Sequence, residues 1–117
     1  MKKFLAVYIS KESTMNDWEN LSETERNTRE EKGIAAWHQW VEKNKKLILD
    51  VGAPLGPTLK MNAKGVSKTK NELTAYTVVQ AESHEAAAKL FLNHPHFMIF
   101  PGDSIEIVEC LKIPGME

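Results

Sequence analysis

A single cysteine, Cys110, stands among the 117 residues of this chain, so neither an intramolecular disulfide framework nor a multi-cysteine metal site is open to it. A reducing compartment fits that shortage, and the expected location is the cytoplasm. No apolar run approaches the roughly 18 residues that a membrane span requires. Lys2-Lys3 followed by Phe4 to Ile9 is interrupted by Ser10-Lys11-Glu12, too early for a secretory signal. Charge of one sign is also missing: 15 basic residues face 16 acidic ones, which leaves no electrostatic footprint for nucleic acid. Phosphate-cradling glycine loops, paired glycosidase carboxylates and a nucleophile-elbow serine are absent as sequence patterns, and most familiar enzyme classes lose support with them.

What is present is the material of one globular domain over residues 1–117, with 42% hydrophobic and 26% charged residues. A domain of this size leaves much apolar surface uncovered when alone, so a partner subunit is a natural completion. Phe4 to Ile9 predicts a strand whose two alternating faces, Leu5-Val7-Ile9 and Phe4-Ala6-Tyr8, are both apolar. One face can meet the helices of its own chain, and the other calls for a second layer, hence a homodimer. Lys11 to Asn20 reads as a loop or a loose helical turn. Ser22-Glu-Thr-Glu25 has the form of a capping box. The stripe Ile34, Trp37, Trp40, Val41, Leu47, Ile48 and Val51 predicts a long helix ended by Gly52 and Pro54, with Gly33 able to divide it.

Thr58 to Ser67 reads as a weak strand, Lys68 to Glu72 as a polar hairpin tip, and Leu73 to Ala81 as a clear strand. Ser83 is positioned to cap a helix through Leu92 that Pro95 ends, and Ser104 to Lys112 closes the chain as a strand. The order β, α, β, β, α, β predicts an α+β fold of ferredoxin-like type, a four-stranded antiparallel sheet with helices on one face. The other face is left to a second subunit.

This layout resembles the YCII-related family. The resemblance is carried by Gly52-Ala-Pro-Leu-Gly-Pro57 after the first helix, Ser83-x-x-Ala-Ala-Ala88, the His94-Pro-His96 stop and the closing Ile105-Glu-Ile-Val-Glu109 strand. It covers most of the chain and implies a dimeric α+β barrel in which each subunit contributes a cleft, with an uncharacterised function. Two family features are not matched. The Asp-Gly-Pro-Phe signature of one subgroup is replaced by Ser67-Lys-Thr-Lys-Asn-Glu72. The early-helix histidine that another branch pairs with an aspartate falls at Ala35 or Ala36, with His38 later.

Three constellations bear on chemistry. His94 and His96 flank a proline with Asp103 seven residues on, and an imidazole serves as acid and base near neutral pH. His96 or His94 is the candidate proton carrier and Asp103 its orienter; the competing reading has both rings capping a helix C-terminus. Trp37 and Trp40, with Tyr8 and Tyr76 on strands, are candidates for lining a cleft, against the plainer reading as core. The basic stretch Lys60, Lys64, Lys68 and Lys70 either attracts an anion or is a solvated hairpin. Two histidines do not make a catalytic zinc site, so no metal is expected, and no organic cofactor. The expected activity is cofactor-independent small-molecule catalysis in a cleft at the dimeric barrel; the alternative is a non-catalytic module that binds a small ligand or another protein.

Overall fold

Along the first strand Phe4, Ala6 and Tyr8 are fully buried while Leu5, Val7 and Ile9 are half-buried, in a computed structural model that describes residues 1–116. One face of that strand therefore belongs to the core and the other to an uncovered side of a sheet. The elements run β1 (Lys2–Ile9), α1 (Glu12–Glu19), α2 (Glu23–Asn44), β2 (Ile48–Pro54), β3 (Thr58–Asn62), β4 (Gly65–Thr69), β5 (Leu73–Ala81), α3 (His84–Lys89), α4 (Pro95–Met98) and β6 (Ser104–Glu109). Four strands form one sheet in the order β2-β5-β1-β6, and every neighbouring pair is antiparallel. This is the ferredoxin-like α+β arrangement, with β3 and β4 added as a separate two-stranded hairpin.

The helices cover the face carrying Phe4, Ala6, Tyr8, Thr77, Val79 and Ala81, where Trp40, Ala87 and Phe91 complete the core. Capping sets where two of them begin. The Ser22 hydroxyl accepts the Glu25 N–H at 3.1 Å and the Ser83 hydroxyl accepts the Ala86 N–H at 3.1 Å. The sheet's other face, with Leu5, Val7, Tyr76, Val78 and Val108, has no second layer among the described residues, which are only 18 Å across their shortest axis.

Several expectations are corrected. The helical stripe stops at Asn44, and Ile48 and Val51 belong to β2, the sheet's edge strand. A three-and-four spacing is shared by chance with this strand, and pairing to β5 outweighs the local pattern. Gly33 does not divide α2. A Cβ there would overlap the Phe100 ring, so the glycine admits that ring against an unbroken helix.

Further along, residues 58–69 form a hairpin in place of one weak strand, and residues 12–19 form a regular helix where a loop or a loose helical turn was expected. Helix α3 ends at Lys89, and Asn93 turns the chain with φ of 57°. Pro95 opens α4, whose first turn tolerates its missing N–H. Ile107 pairs with Ala6 and packs on the core, whereas Val7 lies on the uncovered face.

Candidate functional site

His94 is completely buried between Trp37, Trp40, Phe91 and Tyr8, and a chain of hydrogen bonds specifies its protonation. Its Nδ1 accepts the His96 backbone N–H at 3.0 Å, so Nδ1 is bare and Nε2 carries the hydrogen. The other end demands the same tautomer. Thr77 Oγ1 donates to the Val51 carbonyl at 3.0 Å, Tyr8 therefore donates to Thr77 at 2.9 Å, and the Tyr8 oxygen is left to accept from His94 Nε2 at 3.4 Å. Burial and the neighbouring His96 lower His94 to about 3, and burial pushes Tyr8 up to about 12, so both stay neutral across the physiological range. Neither is available to reach a ligand. They brace the core behind the site.

His96 occupies different ground. Its Nε2 lies 2.9 Å from the Ile9 carbonyl, an acceptor only, so Nε2 donates and the neutral ring's lone pair is on Nδ1. Burial holds His96 below the usual imidazole range, partly countered by the Ile9 and Ser104 carbonyls and the Asp103 carboxylate. Every buried side-chain nitrogen and oxygen among the described residues has a hydrogen-bond partner. His96 is 5% exposed, with the Ser104 backbone as a second hydrogen-bonding neighbour beside Ile9. Gly102 makes this placement possible, because a Cβ there would overlap the His96 ring.

His96 lines a cleft of about 390 Å³. One wall is β2 from Val51 to Pro54 with Thr74, Ala75 and Tyr76 of β5. The opposite wall holds Trp37, Phe100, Pro101 and Met15 of α1, with Ser10 beside them. Gly52, at φ of 80°, shapes the first wall: it sits in a bulge so close to β5 that a Cβ would overlap the Tyr76 carbonyl. Among the described residues no lysine, arginine, aspartate or glutamate lines the cleft. Ser10, Thr74 and His96 supply its polar side chains, while Tyr76 lies on the uncovered sheet face with its hydroxyl 3.5 Å from the Asp50 carboxylate.

Asp103 holds α1. Its carboxylate accepts the Lys11 N–H at 2.6 Å and the Thr14 hydroxyl at 2.8 Å, and these bonds lower its pKa. Both oxygens are thereby engaged away from His96, and the Ile9 carbonyl takes the orienting place in which Asp103 was expected. The histidines also cap differently: His94 caps the start of α4, not the end of α3.

Of the predicted cleft residues, Trp37 and Tyr76 line the cleft, while Trp40 and Tyr8 lie in the core. The Trp40 indole donates to the Leu90 carbonyl at 2.8 Å. Trp37 stacks on Tyr8 at 5.1 Å, joining cleft to core. Met15, Phe100 and the β2 wall were not expected at the site. The Gly52 and Pro54 turn signals marked that wall, although as a helix end. Among the described residues no group of three or more histidine, cysteine, aspartate or glutamate side chains is placed to hold a metal ion. No helix among them is long and apolar enough to cross a membrane.

No protein-family model and no curated protein matches this chain. Among solved structures it is similar to TftG, a 5-chloro-2-hydroxyhydroquinone dehydrochlorinase from Burkholderia phenoliruptrix AC1100 in complex with 2,5-dihydroxybenzoquinone. The TM-score is 0.48 and the identity 18%, over 90% of this chain and 89% of that chain.

Proposed function

We propose that the cleft binds a small, uncharged, largely apolar molecule and that His96 exchanges a proton with it through Nδ1, without an organic cofactor. The observation that carries this reading is the His96 imidazole, its Nε2 committed to the Ile9 carbonyl, in the lining of a cleft whose other walls are mainly apolar. Fixing Nε2–H on the Ile9 carbonyl presents a lone pair at Nδ1, and the lowered pKa keeps the ring in its base form at neutral pH. Trp37 and Phe100 supply flat apolar area, and Ser10 and Thr74 the polar contacts beside His96. A phosphate or carboxylate would find no cation among the lining residues. His94 acts through the backbone of His96 as a positioning residue, and Asp103 sets α1 over the cleft mouth.

The same reading includes a homodimer formed on the uncovered sheet face, where Leu5, Val7, Val78 and Val108 offer apolar surface, in a barrel of the kind that the YCII-related resemblance implies. The lone Cys110, free and half-buried, supports placing the protein in a reducing cytoplasm.

The test is a titration with neutral phenols, quinones and other small cyclic compounds, read by tryptophan fluorescence and by product analysis. Binding with turnover in the wild type, and binding without turnover in His96→Gln, supports the assignment. Turnover that survives His96→Gln would remove His96 as proton carrier. Binding with no chemical change in either protein makes the cleft a ligand-binding module, a reading favoured by its apolar lining.

A further inference from the structure

The hairpin β3–β4 stands apart from the rest of the chain. Its register places Leu59 opposite Lys68 and Met61 opposite Val66, so Leu59, Met61 and Val66 share one face while Lys60, Asn62 and Ser67 share the other. The apolar three are 68%, 72% and 58% exposed. No other element packs substantially on the hairpin among the described residues. A lone two-stranded ribbon is marginally stable in water. One with three large apolar side chains on one face requires a cover that this chain does not supply.

Two observations point to what covers it. The chain exposes 8459 Å², whereas a folded monomer of 13.2 kDa exposes about 6,400 Å². The surplus of about 2,000 Å² matches what one subunit hides in a large homodimer interface of about 4,000 Å² in total. The hairpin segment from Thr58 to Lys70 holds four lysines and no acidic residue. Four positive charges there, within a whole-chain charge of −1, leave the remainder at −5. A second copy therefore presents a net-acidic body to a basic arm.

From these we infer that β3–β4 is an arm that clasps a second copy of this chain, burying Leu59, Met61 and Val66 against the partner. The inference rests on the homodimer proposed above and extends it to a surface outside the four-stranded sheet. It is independent of what the cleft binds.

The test joins equal amounts of ¹⁴N- and ¹⁵N-labelled protein carrying Met61→Cys and Cys110→Ser, with a benzophenone maleimide on the introduced thiol of both. Cross-linked peptides pairing light with heavy chains are expected; cross-links confined to one label overturn the arm. Sedimentation of Leu59→Ser/Met61→Ser/Val66→Ser should show dimer dissociation at least tenfold weaker in affinity, and an unchanged dissociation constant also overturns it. Because no other element packs substantially on the hairpin among the described residues, these changes leave the domain folded, which far-ultraviolet circular dichroism checks. A wild type that stays monomeric at high concentration removes arm and dimer together and leaves the cleft titration as it was.

Discussion

The backbone N–H of His96 is held at 3.0 Å by Nδ1 of His94, two residues before it and fully buried. The bond makes the paired histidines unequal: one ring is committed to fixing the backbone that carries the other. His94 commits its lone pair to the backbone, and His96, its Nε2 held by the Ile9 carbonyl, lines the cleft.

Stability should fall with acid because of this pair. His94 titrates near its ordinary value of 6.5 when unfolded and at about 3 when folded. Between those values the unfolded state binds the extra proton, so stability is fully present above pH 6.5 and declines as pH falls toward 3. His96, lowered in the same direction, adds to the slope. Urea unfolding at about pH 7.5 and about pH 4.5 should differ by about 2 to 3 kcal/mol, and His94→Asn should flatten the difference while lowering stability at the higher pH. An equal slope in that variant would sink the assignment.

Gly52→Ala should destabilise the fold by about 3 kcal/mol or more, from a strained φ combined with backbone overlap. The side chain would meet the Tyr76 carbonyl, and the two edges of β2 and β5 would have to part. Thermal melts of the variant check this, and an unchanged midpoint would contradict the bulge geometry. Gly56→Ala, where a Cβ meets nothing, serves as control.

Asp103→Ala should loosen α1 without unfolding the sheet. The carboxylate supplies the bonds to Lys11 N–H and Thr14 Oγ1. Amide hydrogen exchange should accelerate roughly tenfold across residues 12–19, in line with opening of a locally weak segment, while β1 and β5 exchange as before. Uniform acceleration everywhere would mean that Asp103 matters to the whole fold.

Val7→Lys and Ile107→Lys should behave differently although both sit mid-strand. Val7 is on the uncovered face, so its lysine should leave a folded chain that no longer dimerises. Ile107 packs on the core beside Ala6, so its lysine should cost several kcal/mol and unfold the protein. Light scattering and circular dichroism on the two variants separate these outcomes.

Gly102→Ala should displace the His96 ring, which a Cβ there overlaps. The NMR titration of His96 is expected to move toward the ordinary imidazole value as the ring leaves its buried seat, and ligand turnover should drop at least tenfold. His94 should stay low, because burial is the largest cause of its depression.

Much of this fold is written in short-range pattern. Alternation in Phe4 to Ile9 and Leu73 to Ala81, the hydroxyls of Ser22 and Ser83, and the apolar turn Trp37 to Val41 determine two central strands and two covering helices, because each signal is local and each residue acts on its near neighbours. The two-sided apolar character of β1 likewise announces a sheet with one face left over. Other features are not local. Only pairing with β5 makes Ile48 to Pro54 an edge strand, only the approach of Phe100 explains Gly33, and only the meeting of Ile9 with His96 decides which imidazole nitrogen carries the hydrogen. Sequence alone determined three of the sheet's four strands, its helical cover and a pair of histidines; tertiary structure decided the fourth strand and the rings' unequal roles, since burial and a backbone carbonyl 87 positions away set what each ring can do.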